Sequence, residues 1–110
     1  MCIFCKIVAE EIPSDVVFED ENFLAFKDIN PIAPIHFLII PKEHIDSFQE
    51  IGGLDLGRMG LFIQELVKKY DLDKKGYRLV TNIGEDGGQE VKHLHFHLLA
   101  GAKLKWPKVV

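Results

Sequence analysis

Residues 93–101 read "HLHFHLLAG", with His93, His95 and His97 at every second position, alternating with Leu94, Phe96 and Leu98. In an extended chain the side chains at i, i+2 and i+4 share a face, so the pattern predicts a strand with one apolar, buried face and one face of imidazoles. At a rise of about 3.3 Å per residue the outer histidines stand about 13 Å apart, too far to hold one small ion together. The row must therefore serve at least two tasks. Packing alone does not account for three imidazoles in register, and the row is read as functional.

Just upstream lies "GEDGGQE", residues 84–90, where Gly84, Gly87 and Gly88 would let backbone N–H groups approach an anion with no Cβ in the way. A hairpin loop would also use glycines; their position directly before the histidine row favours the functional reading. Further out, "GYRLVTNI" (76–83) and "VKHLHFHLLAG" (91–101) read as the last two strands. "IHFLIIP" (35–41) is a nearly continuous apolar run bounded by prolines, which fits a strand buried on both faces. "VVFED" (16–20) and "FLAFKD" (23–28) form a hairpin about the acidic turn "EDEN". A helix is predicted from Leu54 to Tyr70, where Met59, Phe62, Ile63, Leu66, Val67 and Tyr70 recur at helical steps, with Asp55 as a cap and Gly76 beyond its end. "IFCKIVAEE" (3–11) suits a short helix that "IPSD" stops. The fold class is α+β: a five-stranded, mainly antiparallel sheet with one long helix and a short N-terminal helix, in a single domain over residues 1–110.

The 110 residues are 47% hydrophobic and 27% charged, which suits one globular core without disorder. A formal charge of −4 gives no electrostatic footprint for nucleic acid, and no apolar run is long enough for a membrane span. A cytoplasmic location is expected. In a reducing compartment the pair Cys2 and Cys5 is improbable as a structural disulfide, which leaves metal ligation, redox chemistry or two packed thiols. Cys-x-x-Cys is a zinc-site spacing, and a closed tetrahedral site needs two further ligands. His44 in "PKEHIDSF" is a third candidate, with one member of the row as fourth.

"HLHFHLL" matches the histidine-triad motif, H-φ-H-φ-H-φ-φ with φ hydrophobic, at every position. With "EIPS", "FKDI", "HFLIIPK", "GYRLVTN" and "GGQEV" in order, the chain resembles the histidine-triad (HIT) family over nearly its whole length, in particular the nucleotide-binding branch of purine nucleoside phosphoramidases. The resemblance implies that His95 is the nucleophile toward the α-phosphorus, that His97 contacts the phosphate, and that His36 supports the triad from behind. Asp28 would take the ribose hydroxyls. Ile29, Phe26, Lys27, Ile3, Phe4 and Ile7 would line the purine pocket, and Asn82 with Gly88, Gln89 and Glu90 would surround the phosphate and leaving group.

Members that keep the cysteine pair resemble zinc-binding ones, which implies a structural zinc on Cys2, Cys5, His44 and His93, with no metal needed for the chemistry. Glu90 departs from the serine of better-known eukaryotic relatives. A homodimer is also implied, with Trp106 near the partner's site. The expected activity is hydrolysis of nucleoside 5′-phosphoramidates through a nucleotidyl-histidine intermediate. The alternatives are a dinucleoside polyphosphate hydrolase and a nucleotide-binding, zinc-stabilised interaction module with little catalysis.

Overall fold

A computed structural model describes residues 2–105; Trp106 lies outside the described residues. The elements are α1 (Ile3–Val8), β1 (Val16–Glu19), β2 (Phe23–Lys27), β3 (Ile35–Pro41), a 3₁₀ turn (Phe48–Glu50), α2 (Gly53–Lys69), β4 (Arg78–Val80) and β5 (Phe96–Ala100). The strands form one antiparallel sheet in the order β1-β2-β3-β5-β4. β3 is central, which is why its apolar run has no polar face of the usual alternating kind.

Alternation along β3 sorts the sheet's two faces. Phe37 and Ile39 join Phe23, Ala25 and Leu98 under α2, whose Met59, Phe62, Ile63, Leu66 and Val67 are all buried against them. Each such side chain contributes about 1.5–3 kcal/mol of burial, so this layer carries most of the stability. On the opposite face Leu38 and Ile40 pack with Leu24, Phe26 and Phe4 of α1. His36 shares that second face, as does His97, which pairs with Leu38 across the β3–β5 ladder. Register thus brings the histidines to the α1 side.

Three sequence expectations need correction. The last strand begins at Phe96 and not at Val91, because the Leu94 N–H donates to the Ile45 carbonyl at 2.6 Å and the His93 N–H to Val91 at 2.9 Å, which takes these groups out of the ladder. Likewise β4 is confined to three residues. Side-chain parity nevertheless survives: Leu94 and Leu98 lie in the α2 core and Phe96 packs against it. The α2 cap is Gly52, without a side-chain hydrogen bond, while Asp55 sits within the first turn, 3.6 Å from Arg58. Beyond α2, Asp71 takes a left-handed position at φ 57°, ahead of Gly76 at φ 95°. There the Leu72 N–H reaches back to Val67 and the Asp71 N–H to Lys68, a Schellman closure with Leu72 buried over the helix end.

Candidate active site

The chain of histidine contacts starts at the β2–β3 connection. The Ile32 N–H donates to His36 Nδ1 at 3.2 Å, so His36 holds its proton on Nε2 and donates it to His97 Nδ1 at 2.9 Å. His97 must then carry its own proton on Nε2. Asp28 Oδ2 lies 3.4 Å from His36 Nε2, and Asp28 Oδ1 accepts the Asn30 N–H at 2.7 Å. Burial, reinforced by His95 and His36 nearby, drives the His97 pKa down to about 4. Burial also lowers that of His36, against the pull of Asp28. At neutral pH both rings are uncharged, and His97 has an N–H to donate.

His95 has the opposite tautomer. Its Nδ1 lies 2.8 Å from the His93 carbonyl, which can only accept, so Nδ1 carries the proton and Nε2 keeps its lone pair. Thr81 Oγ1 donates to the His95 carbonyl at 2.8 Å, and the Phe4 ring stands edge-on to the imidazole at 5.1 Å. Backbone, hydroxyl and ring together fix its orientation.

His95 and His97, with ring centres 5.1 Å apart, open on a cleft of about 320 Å³. Phe4, Asp28, His36, Asn82, Gly88 and Glu90, all candidates named from the sequence, also line it. Asn30, Ile32, Leu38 and Val91 complete the wall and had no distinguishing signal in the sequence. Phe26 and Ile7 pack behind Phe4 in the α1 layer; Phe26 meets the Phe4 ring edge-on at 5.7 Å. Ile3, Lys27, Ile29 and Gln89 are not part of the wall. Ile29 is 91% exposed, Lys27 pairs with Asp15 at 3.4 Å, and Gln89 closes its own loop by accepting the Gly84 N–H and donating to the Asp46 and Val91 carbonyls. A larger recess beside α2, lined by Leu61, Gln64, Lys68 and Tyr77 among others, holds no histidine or cysteine.

A second cluster gathers Cys2, Cys5, His44 and His93, whose ligand atoms all lie within 4.8 Å of one another. Sulfur to sulfur is 3.2 Å, and the sulfur to Nδ1 distances are 3.1–3.5 Å. A tetrahedron with zinc–nitrogen and zinc–sulfur arms of about 2.0–2.3 Å has edges of roughly 3.3–3.8 Å, close to this spacing. Both histidines turn Nδ1 inward and donate Nε2–H outward, His93 to the Pro41 carbonyl at 2.8 Å and His44 to Asp46 at 2.9 Å. That outer shell is the usual support of a metal-binding imidazole. Burial lowers the His93 pKa, whereas the Asp46 hydrogen bond raises that of His44. Burial pushes both thiols up, but the Cys5 N–H and hydrogen bonding with the Cys5 thiol and His44 bring Cys2 below its usual value, while Cys5 stays raised beside it. The donor set and its geometry are compatible with zinc.

An antiparallel sheet with a long helix on one face and a histidine-lined cleft on the other defines the histidine-triad class of α+β domain. The HIT domain matches residues 9–104, and the chain belongs to that family. It is 48% identical to a HIT-like protein of Helicobacter pylori over 103 residues, 94% of this chain and 99% of that one. Among solved structures, a HIT family hydrolase from Legionella pneumophila superposes with a TM-score of 0.91 at 48% identity, covering 97% of this chain and 98% of the other. A histidine triad nucleotide-binding protein from Candida albicans gives 0.84 at 36% identity, covering 100% and 85%.

Proposed function

We propose that the chain is a purine nucleotide-binding hydrolase that cleaves the P–N bond of nucleoside 5′-phosphoramidates through a nucleotidyl group on His95. The observation that carries this reading is the locked tautomer of His95: the His93 carbonyl holds the Nδ1 proton and leaves the Nε2 lone pair on the cleft. Similarity to the Legionella hydrolase and the Candida nucleotide-binding protein supports the class.

In the first step His95 Nε2 forms a bond to phosphorus as the P–N bond breaks, and the departing amine gains a proton from water. In the second step the hydroxyl of that water bonds to phosphorus, the P–Nε2 bond breaks, and His95 returns to its neutral form. One water is consumed, hydrogen going to the amine and hydroxyl to the nucleoside monophosphate. The His97 Nε2–H donates to the phosphoryl oxygen as charge builds on it. Loss of one such donor commonly costs about 3–4 kcal/mol of transition-state stabilisation. Asp28 receives the ribose, and Phe4 with Ile32 offers apolar surface to the base.

Zinc on Cys2, Cys5, His44 and His93 supplies structure by joining α1 to the sheet beside His95. The protein acts as a homodimer in this reading, a role for which β4, at the end of the strand order with Leu79 and neighbouring Tyr77 exposed, offers a surface.

The test compares turnover of an adenosine 5′-phosphoramidate with that of diadenosine triphosphate. Faster cleavage of the phosphoramidate is expected, with its loss in His95→Asn. Preference for the polyphosphate would move the assignment to dinucleoside polyphosphate hydrolysis, and no cleavage of either would leave a binding module.

A further inference from the structure

The charge inventory of the cleft is unusual for a site that receives a phosphate. Among the described residues its wall contains two carboxylates, Asp28 and Glu90, and no lysine or arginine. His36 and His97 do little to offset them, because burial lowers the pKa of both, that of His97 to about 4. Lys92, next along the chain, points elsewhere: it is 82% exposed and lies 3.9 Å from Asp46.

The two carboxylates are not equivalent. Asp28 faces the Asn30 N–H with one oxygen and His36 Nε2 with the other, and its side chain is 18% exposed. Glu90 stands exposed on the loop before the histidine row, with no hydrogen bond or ion pair among the described residues. Its charge is therefore available to whatever occupies the cleft. A leaving group that carries further negative charge would meet it unfavourably, while a cationic one would be drawn to it.

We propose that Glu90 is a specificity-determining residue that selects substrates whose departing amine bears a second, positively charged group, such as a diamine or a basic amino acid joined through one nitrogen, and disfavours anionic leaving groups. This rests on the hydrolase reading above and names its substrate class. The P–N bond still breaks as described; Glu90 exchanges no proton and acts through charge alone.

The test uses two adenosine 5′-phosphoramidates of equal length, one made from diaminopropane, whose far end is an ammonium, and one from butylamine, which puts a methyl there. Both compete in one reaction, so the ratio of kcat/KM values is internally normalised. The wild type should favour the diaminopropane compound about three- to tenfold at low ionic strength, and the ratio should shrink as salt is added. Glu90→Gln should bring the ratio near one, Glu90→Asp should keep part of it, and Glu90→Lys should invert it. A wild-type ratio near one, or a ratio that persists in Glu90→Gln, overturns the proposal. If neither compound is cleaved, the hydrolase reading has failed, and equilibrium binding of the same pair then decides: a Glu90-dependent preference in Kd supports the charge selection, and equal Kd values refute it.

Discussion

At the scale of single residues, the site depends on which nitrogen of each histidine is already engaged. His93 uses every polar atom that it has: its N–H on the Val91 carbonyl, Nε2–H on Pro41, Nδ1 toward the two sulfurs, and its carbonyl on His95. The cluster and the proposed nucleophile are thus adjacent through one residue. Gly87 is equally constrained, since a Cβ there would run into the backbone carbonyl of Ile83. Gly87→Ala should displace the loop that carries Gly88 and Glu90 and lower kcat/KM by roughly tenfold or more, in line with what a 1 Å misplacement does to a reacting geometry. Steady-state kinetics with a thermal melt checks this, and unchanged kinetics would mean that the loop does not shape the cleft. The alternation of "HLHFH" made the histidines legible in the sequence, because parity alone puts them on one face. Tautomers were not legible, since they depend on the Ile32 amide and the Pro41 and His93 carbonyls, which only the fold brings into reach.

At the scale of elements, both helices end in the same way. α1 closes with Glu10 at φ 61°, its N–H on Ile7 and the Glu11 N–H on Lys6, and α2 closes with Asp71 in the equivalent place. Neither left-handed closure was visible in the sequence, because that position usually advertises itself through glycine. Glu10 is exposed, so Glu10→Gly removes the Cβ strain of about 1–2 kcal/mol at the cost of extra freedom in the unfolded chain. A net gain of about 0.5–1 kcal/mol is expected in chemical denaturation. Equal or lower stability would show that the glutamate side chain contributes something that its position does not reveal. β3 and the body of α2 were read nearly to the residue, since a run closed by prolines and a strict helical period leave little choice. The start of β5 was misjudged because the alternation continues through residues 93–95, whose backbone departs from the sheet.

At the scale of the whole molecule, two layers meet at one sheet: α2 carries the larger core, and the smaller α1 layer holds the cleft and the cysteine cluster. Among the described residues no helix is long and apolar enough to cross a membrane. The buried histidines make stability depend on pH. His36, His93 and His97 have folded pKa values below the unfolded value of about 6.5, so the unfolded chain binds more protons as pH falls. Their contribution is complete above about pH 6.5 and is lost toward the His97 value of about 4; His44, shifted upward and exposed, opposes them weakly. Metal-free protein should therefore show a falling denaturation midpoint across that window, and the fall should lessen in His97→Gln.

The central claim is that His95 attacks phosphorus. Rapid acid-free quenching during turnover of an adenosine phosphoramidate, followed by peptide mass spectrometry, tests it most directly. An adenylyl group on His95, absent from His95→Asn and lost again on standing in water, is the predicted result. A nucleotidyl group on His97 or His36, or steady turnover in His95→Asn, would contradict it.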